Sequence, residues 1–450
     1  MLKKNPNPDV QEDLFRPRLE NFINMKDAWV QLAHLMDWSA LEKDLSSCYC
    51  LDNGGPGESI RVMVGLSIIK DKEGLSNEQL CNRWARDPYL QYFCGEDYFQ
   101  HDCPVKPQSI SNFYLRLAER GKERILSETV SVALLTGTVD KRDLKKVRVD
   151  TTVQEKAVKF PTDTQLCHKA REELVTMASK HGVKLRQSYV RKGKQACFKA
   201  NQYMSAKQTK RGRQEIKKLK NYLGRVMRDI ERAVEKNTLL TGVFGNDLDK
   251  ARRIYNQALN PKAKDKLYCW HAPEVECIGK GKAHKRYEIG CKAGYVSTNK
   301  SNFIIGAIAL HGKPYDGHTL QRMLGQVKSL TGVKPKEAYV DLGFKGHGIK
   351  DDDIEIIMAR QKRGITPAKR KRQKRRNAIE PIIGHCKNDR KVGPKNWLQG
   401  VIGDKVNAIA MAIGFNIRKI LFKIFLRLFC KLLIRARLSI NTTQYSLFCA

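Results

Sequence analysis

Hydrophobic and polar positions change period several times along the chain, and the changes predict its elements. From Glu58 the stretch ESIRVMVGLSIIKDKEG carries Val62, Val64, Leu66 and Ile69 among its apolar positions and ends on the stop signal Gly74, which predicts a helix. Ser76 and Gln79 form a capping-box pattern that starts a second helix through Trp84 and Arg86. Ser109 or Ser111 is the expected cap of a third, over SISNFYLRLAERGKERIL. Three short helices with tight connections fit a helix-turn-helix-like bundle at 58–140, serving DNA reading or only packing and dimerisation. Residues 1–57 are mixed in pattern and predict a peripheral segment.

At 145–153, KKVRVDTTV, the pattern turns to period two: Val147 and Val149 alternate with Lys146, Arg148 and Asp150, as in a strand. Between about 168 and 236 it becomes helical, with Ile216, Leu219, Leu223, Val226, Ile230 and Val234 on one face. This predicts a helical hairpin within an insertion at 166–263. Strand signals return at KRYEIGCKAGYV (285–296) and NFIIGAIAL (302–310), read as an antiparallel hairpin. A helix over 317–332 ends in Gly332, the strand KEAYVDLGF (336–344) carries Asp341 at its end, and DIEIIMA (353–359) is another strand. The order predicts an α/β protein with a mixed-sheet core made from 141–165 and 264–400.

C-terminal helices are expected at 401–438, followed by a tail at 439–450. The longest uncharged run there, VNAIAMAIGFNI (406–417), is far shorter than the about twenty residues a membrane span needs. Lys419, Lys423, Arg427, Lys431 and Arg435 recur every fourth residue. They predict the solvated edge of a packed helix, with a membrane-surface helix as the sharper alternative.

Charge narrows the partner. A composition 41 % hydrophobic and 29 % charged is that of a globular protein, and the formal net charge of +37 makes nucleic acid the leading partner, ahead of an anionic membrane. Residues 1–140 hold 16 Lys and Arg against 21 Asp and Glu, so the cationic surface lies downstream. Within 168–236 the balance is 20 to 6. The thirteen cysteines are odd in number and irregularly spaced, and the first residues have no apolar signal core, so reduced thiols in a cytoplasmic protein are expected. Cys48-x-Cys50 and His101-x-Cys103 are too close and too isolated to argue for zinc.

Three carboxylates stand out by position. Asp150 lies mid-strand, Asp341 ends an apolar strand, and Glu380 follows the run KRKRQKRR (369–376), in which seven of eight residues are basic. Singly, each has an ordinary reading: an exposed strand residue, a turn former before Gly343, and a helix-start residue. Together, beside so basic a surface, they suit Mg²⁺ or Mn²⁺, two ions of which can drive phosphodiester chemistry. No phosphate loop, dinucleotide fingerprint, HExxH or GxSxG sequence is present.

Several blocks in order resemble the bacterial insertion-sequence transposases of the DDE class, closest to the insertion-sequence-five group. They are RVDTTVQEKAVKFPTD (148–163), WHAPEVECIGKGKAHKRYEIG (270–290), YDGHTL (315–320), AYVDLGFKGHG (338–348) and IEPIIGHCKND (379–389), with PYLQYFCGEDYFQHDCP (88–104) resembling the N-terminal segment. The likeness covers roughly residues 50–420. It implies an RNase H-like core with the basic helical insertion and an N-terminal helical domain. It implies that Asp150, Asp341 and Glu380 are catalytic ligands of two Mg²⁺ ions, with Arg376 and Lys387 as basic companions in an R-x3-E-x6-K signature. Gln373 stands where the wider signature has Tyr, and Pro381 disfavours a regular helix running through Glu380.

The implied function is metal-dependent cleavage at insertion-sequence ends and transfer of the 3′-hydroxyl into target DNA. The implied partners are double-stranded DNA, as inverted repeats and as target, and further copies of the chain in a dimer or larger assembly. Neither a small-molecule substrate nor a membrane is expected, and the place of action is the bacterial cytoplasm, at the nucleoid. The alternative is a catalytically inactive, transposase-derived DNA-binding protein.

Overall fold

The computed structural model describes residues 16–49, 57–279, 286–349, 353–361, 363–389 and 393–448, with side chains as far as Cys430. The chain divides into two compact units, Met1–Glu155 with Cys291–Ala450, and Lys156–Gly290.

The first unit begins with helices α1 (Ala28–Leu35), α2 (Trp38–Ser46), α3 (Ile60–Glu73), α4 (Asn77–Trp84), α5 (Pro88–Cys94) and α6 (Pro107–Leu135). Local chemistry sets most of their ends. Asp27, Asp37, Ser59 and Asp87 accept hydrogen bonds from N–H groups of the following turn. Ser76 and Gln79 form the expected capping box in both directions. Gly74 closes α3 at φ 63°, a left-handed position that costs glycine least.

Two expectations need correction here. Residues 1–57 are not all peripheral, since Leu32, Leu41 and Leu45 are buried in the same core as α3. The third helix starts at Pro107, which fits a first turn because its missing N–H would have no partner there, so Ser109 and Ser111 lie inside it. Ser111 instead meets the Asn77 side-chain amide at 2.8 Å. This helix is also long, at 29 residues, with non-helical backbone at Ala118.

Strand β1 (Lys146–Glu155) follows, and the chain then enters the second unit. That unit holds α7 (Asp163–Lys180), α8 (Val190–Ser205), α9 (Thr209–Lys236), α10 (Leu239–Gln257) and β2 (Glu276–Gly279), the last paired antiparallel with Tyr287–Gly290. Four helices stand where a hairpin was expected. The apolar face of α9 is buried as its spacing predicts, with Leu219, Leu223, Val226 and Ile230 against Leu174, Phe244 and Ile254. A two-helix hairpin would leave much of so wide a face in water; α7, α8 and α10 all pack on α9.

β3 (Tyr287–Thr298) returns the chain to the first unit, which continues with β4 (Ile304–Leu310), α11 (Asp316–Thr331), β5 (Glu337–Val340), β6 (Glu355–Met358), α12 (Pro367–Lys374), α13 (Ile379–Asn388) and α14 (Gly400–Phe448). The sheet of this unit runs β4–β3–β1–β5–β6. β1, β5 and β6 are parallel, and β3 and β4 form the expected antiparallel hairpin. The Asn299 N–H just past β3 donates to the Lys146 carbonyl at the start of β1, so those two strands are antiparallel as well.

Helix α14 packs on α3, α6 and β4. A side chain at Gly414 would sit 2.1 Å from the Asp71 carbonyl oxygen, so the crossing with α3 is backbone to backbone. Buried Asn416 accepts from the Ile304 N–H at 3.0 Å and donates to its carbonyl at 2.8 Å, satisfying the outer edge of β4. The stripe from Lys419 does not begin as a solvated edge, because its ammonium donates to the Ser301 carbonyl at 2.6 Å. Burial lowers its pKa. The side chains of Lys431 and Arg435 lie outside the described residues. α14 runs through the expected boundary at 438 as one helix, and no helix of the described residues is long and apolar enough to cross a membrane.

Candidate active site

The parallel pairing of β1 with β5 matches Lys146 to Glu337, Val147 to Ala338 and Arg148 to Tyr339. Continued two residues further, the same register sets Asp150 beside Asp341, where β5 has just ended. Asp341 caps the 3-10 turn Leu342–Phe344 by accepting from the Leu342 N–H at 2.8 Å. Asp150 accepts from the Thr151 N–H at 2.7 Å. Strand ends in open sheets are where loops converge on ligands, and this is such an end.

Glu380 approaches from α13. It is the second residue of that helix and Pro381 the third, a first-turn position where the missing N–H has no intrahelical role. Arg376 sits in the 3-10 turn Arg375–Ala378 that leads into α13. Its Nη2 lies 3.9 Å from Asp341 Oδ1 and 3.7 Å from Glu380 Oε1. Those carboxylates are 50 % and 64 % exposed and the arginine 11 %, so the acids face solvent over a largely covered cation. Solvent screening keeps each contact weak, though together they offset the repulsion of two neighbouring negative charges.

Lys387 lies two helical turns beyond Glu380. Its ammonium donates to Thr152 Oγ1 and to the Val153 carbonyl, both at 2.7 Å. The resemblance makes this lysine a basic companion of the carboxylates; its contacts tie α13 to the strand that carries Asp150.

Three further residues belong to the arrangement and were not singled out from the sequence. Arg148, fully buried on β1, donates to the carbonyls of Thr298 and Arg375 and to Asn302 Oδ1. It thereby fastens the segment that carries Arg376. Burial first of all, opposed by Asp143 and reinforced by Arg375, brings its pKa down to about 10. Asp316 accepts from the Thr151 hydroxyl at 2.8 Å and pairs with Lys292 at 2.6 Å. Strict alternation reads Arg148 as solvent-facing; Asp316 carries no local signal beyond the quoted block YDGHTL, and Lys292 none beyond the strand pattern at 285–296.

The basic run 369–376 is divided by its contacts. Arg372 pairs with Glu337 at 2.9 Å and bonds the Tyr339 hydroxyl, and Lys369 pairs with Glu355. Burial, then the hydrogen bond to Glu337, raises the Tyr339 pKa well above its usual range, so that hydroxyl stays protonated. Arg370, Lys371, Lys374 and Arg375 are exposed. The donors of Asp150, Asp341 and Glu380 are all carboxylate oxygens, a set that fits a hard divalent cation such as Mg²⁺ or Mn²⁺.

The model of the Transposase domain (DUF772) matches residues 17–116, from before α1 into α6. An uncharacterized protein, ORF8 in the nfe locus of Rhizobium meliloti, is 41 % identical over 198 residues, which are 44 % of this chain and 95 % of that protein. No solved structure matches the chain. The chain thus carries a transposase-family domain at residues 17–116 and is related, over 198 residues, to that Rhizobium meliloti protein.

Proposed function

We propose that the chain is a DDE transposase of the insertion-sequence-five type, cutting DNA at the ends of its element and joining the freed 3′-hydroxyls to target DNA. The observation that carries this reading is the approach of Asp341 and Glu380 to one guanidinium, with Asp150 in register beside Asp341. The sheet order, with an antiparallel hairpin leading into parallel strands, agrees with the RNase H-like core that the sequence resemblance implies.

Asp150, Asp341 and Glu380 would hold two Mg²⁺ ions, and what the ions supply is Lewis-acid activation of a water or a 3′-hydroxyl and charge stabilisation at the leaving oxygen. Arg376 balances the carboxylates and offers donors to a phosphate. Arg148 and Lys387 hold the segments that present Arg376 and Glu380. The exposed cations of 370–375, and separately the basic face of α9, grip DNA backbone without reading its sequence. Residues 58–126 bind the inverted repeats, and pairing two ends calls for at least a dimer.

The test is nicking of an end-bearing oligonucleotide duplex in Mg²⁺. Wild type should release a 3′-hydroxyl, and Asp341→Asn should bind the duplex without cutting it. Binding with no cutting by wild type, in Mg²⁺ or Mn²⁺, would overturn the proposal in favour of an inactive DNA-binding relative.

A further inference from the structure

We infer that Cys291, His311 and Asp404 form a zinc-class metal site, separate from the three carboxylates, that fastens the start of α14 to the β3–β4 hairpin. Cys291 lies on β3 and His311 directly follows β4. The register Lys292 to Leu310 makes the next pair Cys291 and His311. Asp404 comes from the first turns of α14. One ligand atom of each residue lies within 4.8 Å of the other two.

The contacts converge on a single atom. Cys291 Sγ is 3.5 Å from His311 Nε2, and Asp404 Oδ2 is 3.6 Å from that same nitrogen. The Cys291 thiol can donate to the Lys292 carbonyl at 3.2 Å, and the His311 nitrogen stands between that sulfur and the carboxylate at separations longer than good hydrogen bonds. A cation among the three groups accounts for both separations at once. Bonds of about 2.3 Å to sulfur and about 2.0 Å to nitrogen and oxygen, at tetrahedral angles, set ligand atoms roughly 3.3–3.6 Å apart. The 3.5 Å sulfur-to-nitrogen separation matches, and the 3.6 Å nitrogen-to-oxygen one is a few tenths of an ångström wider.

Burial and charge agree with this assignment. Cys291 and Asp404 are buried and His311 is partly exposed, which leaves a way in for the ion and a side for a water as fourth ligand. A thiolate and a carboxylate together neutralise a divalent ion, so the filled site buries no net charge. Asp404 is oriented from behind, its Oδ1 accepting from the buried Asn396 amide at 2.7 Å. Thiolate and imidazole select zinc and its close analogues over Mg²⁺.

Cobalt(II) titration of the full chain, stripped with a chelator, tests the site because cobalt reports its ligands by colour. One equivalent should give a thiolate-to-cobalt band in the near ultraviolet with intense visible bands. Zn²⁺ should abolish them, and millimolar Mg²⁺ should not. Cys291→Ser should lose the ultraviolet band, and His311→Ala, at the partly exposed position, should bind cobalt at least about tenfold more weakly. Absence of the band in wild type, or its persistence in Cys291→Ser, would overturn the inference. If Cys291→Ser fails to fold by circular dichroism, His311→Ala decides: unchanged cobalt affinity overturns the assignment, and weakened affinity supports it.

Discussion

Arg376 and Glu380 meet across the junction between the 3-10 turn and α13, with Nη2 3.7 Å from Oε1. The same guanidinium reaches Asp341 at 3.9 Å, so one fixed cation serves two of the proposed metal ligands. A fixed positive charge there competes with divalent ions for the same carboxylates. Arg376→Ala should therefore bind Mn²⁺ several-fold more tightly, by paramagnetic titration without DNA, while cutting DNA more slowly. Weaker Mn²⁺ binding in the variant would contradict this balance of charges.

Lys387 acts on position. Its two hydrogen bonds to β1 are part-buried, and bonds from a charged donor of this kind are worth about 1.5–3 kcal/mol each. Lys387→Met should lower the denaturant midpoint and reduce cleavage with duplex affinity unchanged. A fall in DNA affinity with intact stability would show that the ammonium contacts phosphate after all.

Within the basic run the exposed and the paired residues should separate by experiment. Lys371 and Lys374 are exposed, so replacing both with Ala should weaken duplex binding and lower the salt slope by about 0.9 for each phosphate no longer neutralised. Arg372→Ala should mainly destabilise, since Arg372 bonds Glu337 and Tyr339. Equal effects of the two changes on the salt slope would contradict this division.

A buried ion pair away from the site offers a stability test. The Lys122 ammonium donates to Asp71 Oδ2 and Ser67 Oγ, both at 2.6 Å, and the Tyr114 hydroxyl donates to Asp71 Oδ1. Lys122→Met strands the Asp71 charge, which costs about 3–5 kcal/mol. Urea denaturation should register a loss of that size, and a change under about 1 kcal/mol would mean that water reaches Asp71.

The sequence is most legible where structure is decided within a few residues. The Ser76–Gln79 box, the glycine ends at Gly74 and Gly332, and the β3–β4 hairpin all follow from local chemistry. Asp341 at a strand end and Glu380 at a helix start are also readable, because apolar runs stop beside them. Arg148 is not, since the acceptors that make burying an arginine tolerable, the carbonyls of Thr298 and Arg375 and the Asn302 side chain, are distant in the chain. Lys419 is a similar case, its charge satisfied by the carbonyls of Ser301 and Asn302. In the same way α1 and α2 are too short, at eight and nine residues, to show a clear helical period, yet their leucines enter the core that α3 and α14 complete.

The most direct measurement is cleavage of supercoiled plasmid carrying the element ends in Mg²⁺, with wild type beside Glu380→Gln and duplex binding measured for both. The substitution keeps the shape of the side chain and removes its charge, at a position exposed enough that folding should not suffer. The account predicts that wild type frees 3′-hydroxyl ends while the variant binds equally well and cuts at least about a hundredfold more slowly, as loss of a transition-state electrostatic contact does. Equal cutting by the two would contradict the assignment of Glu380 to the catalytic centre.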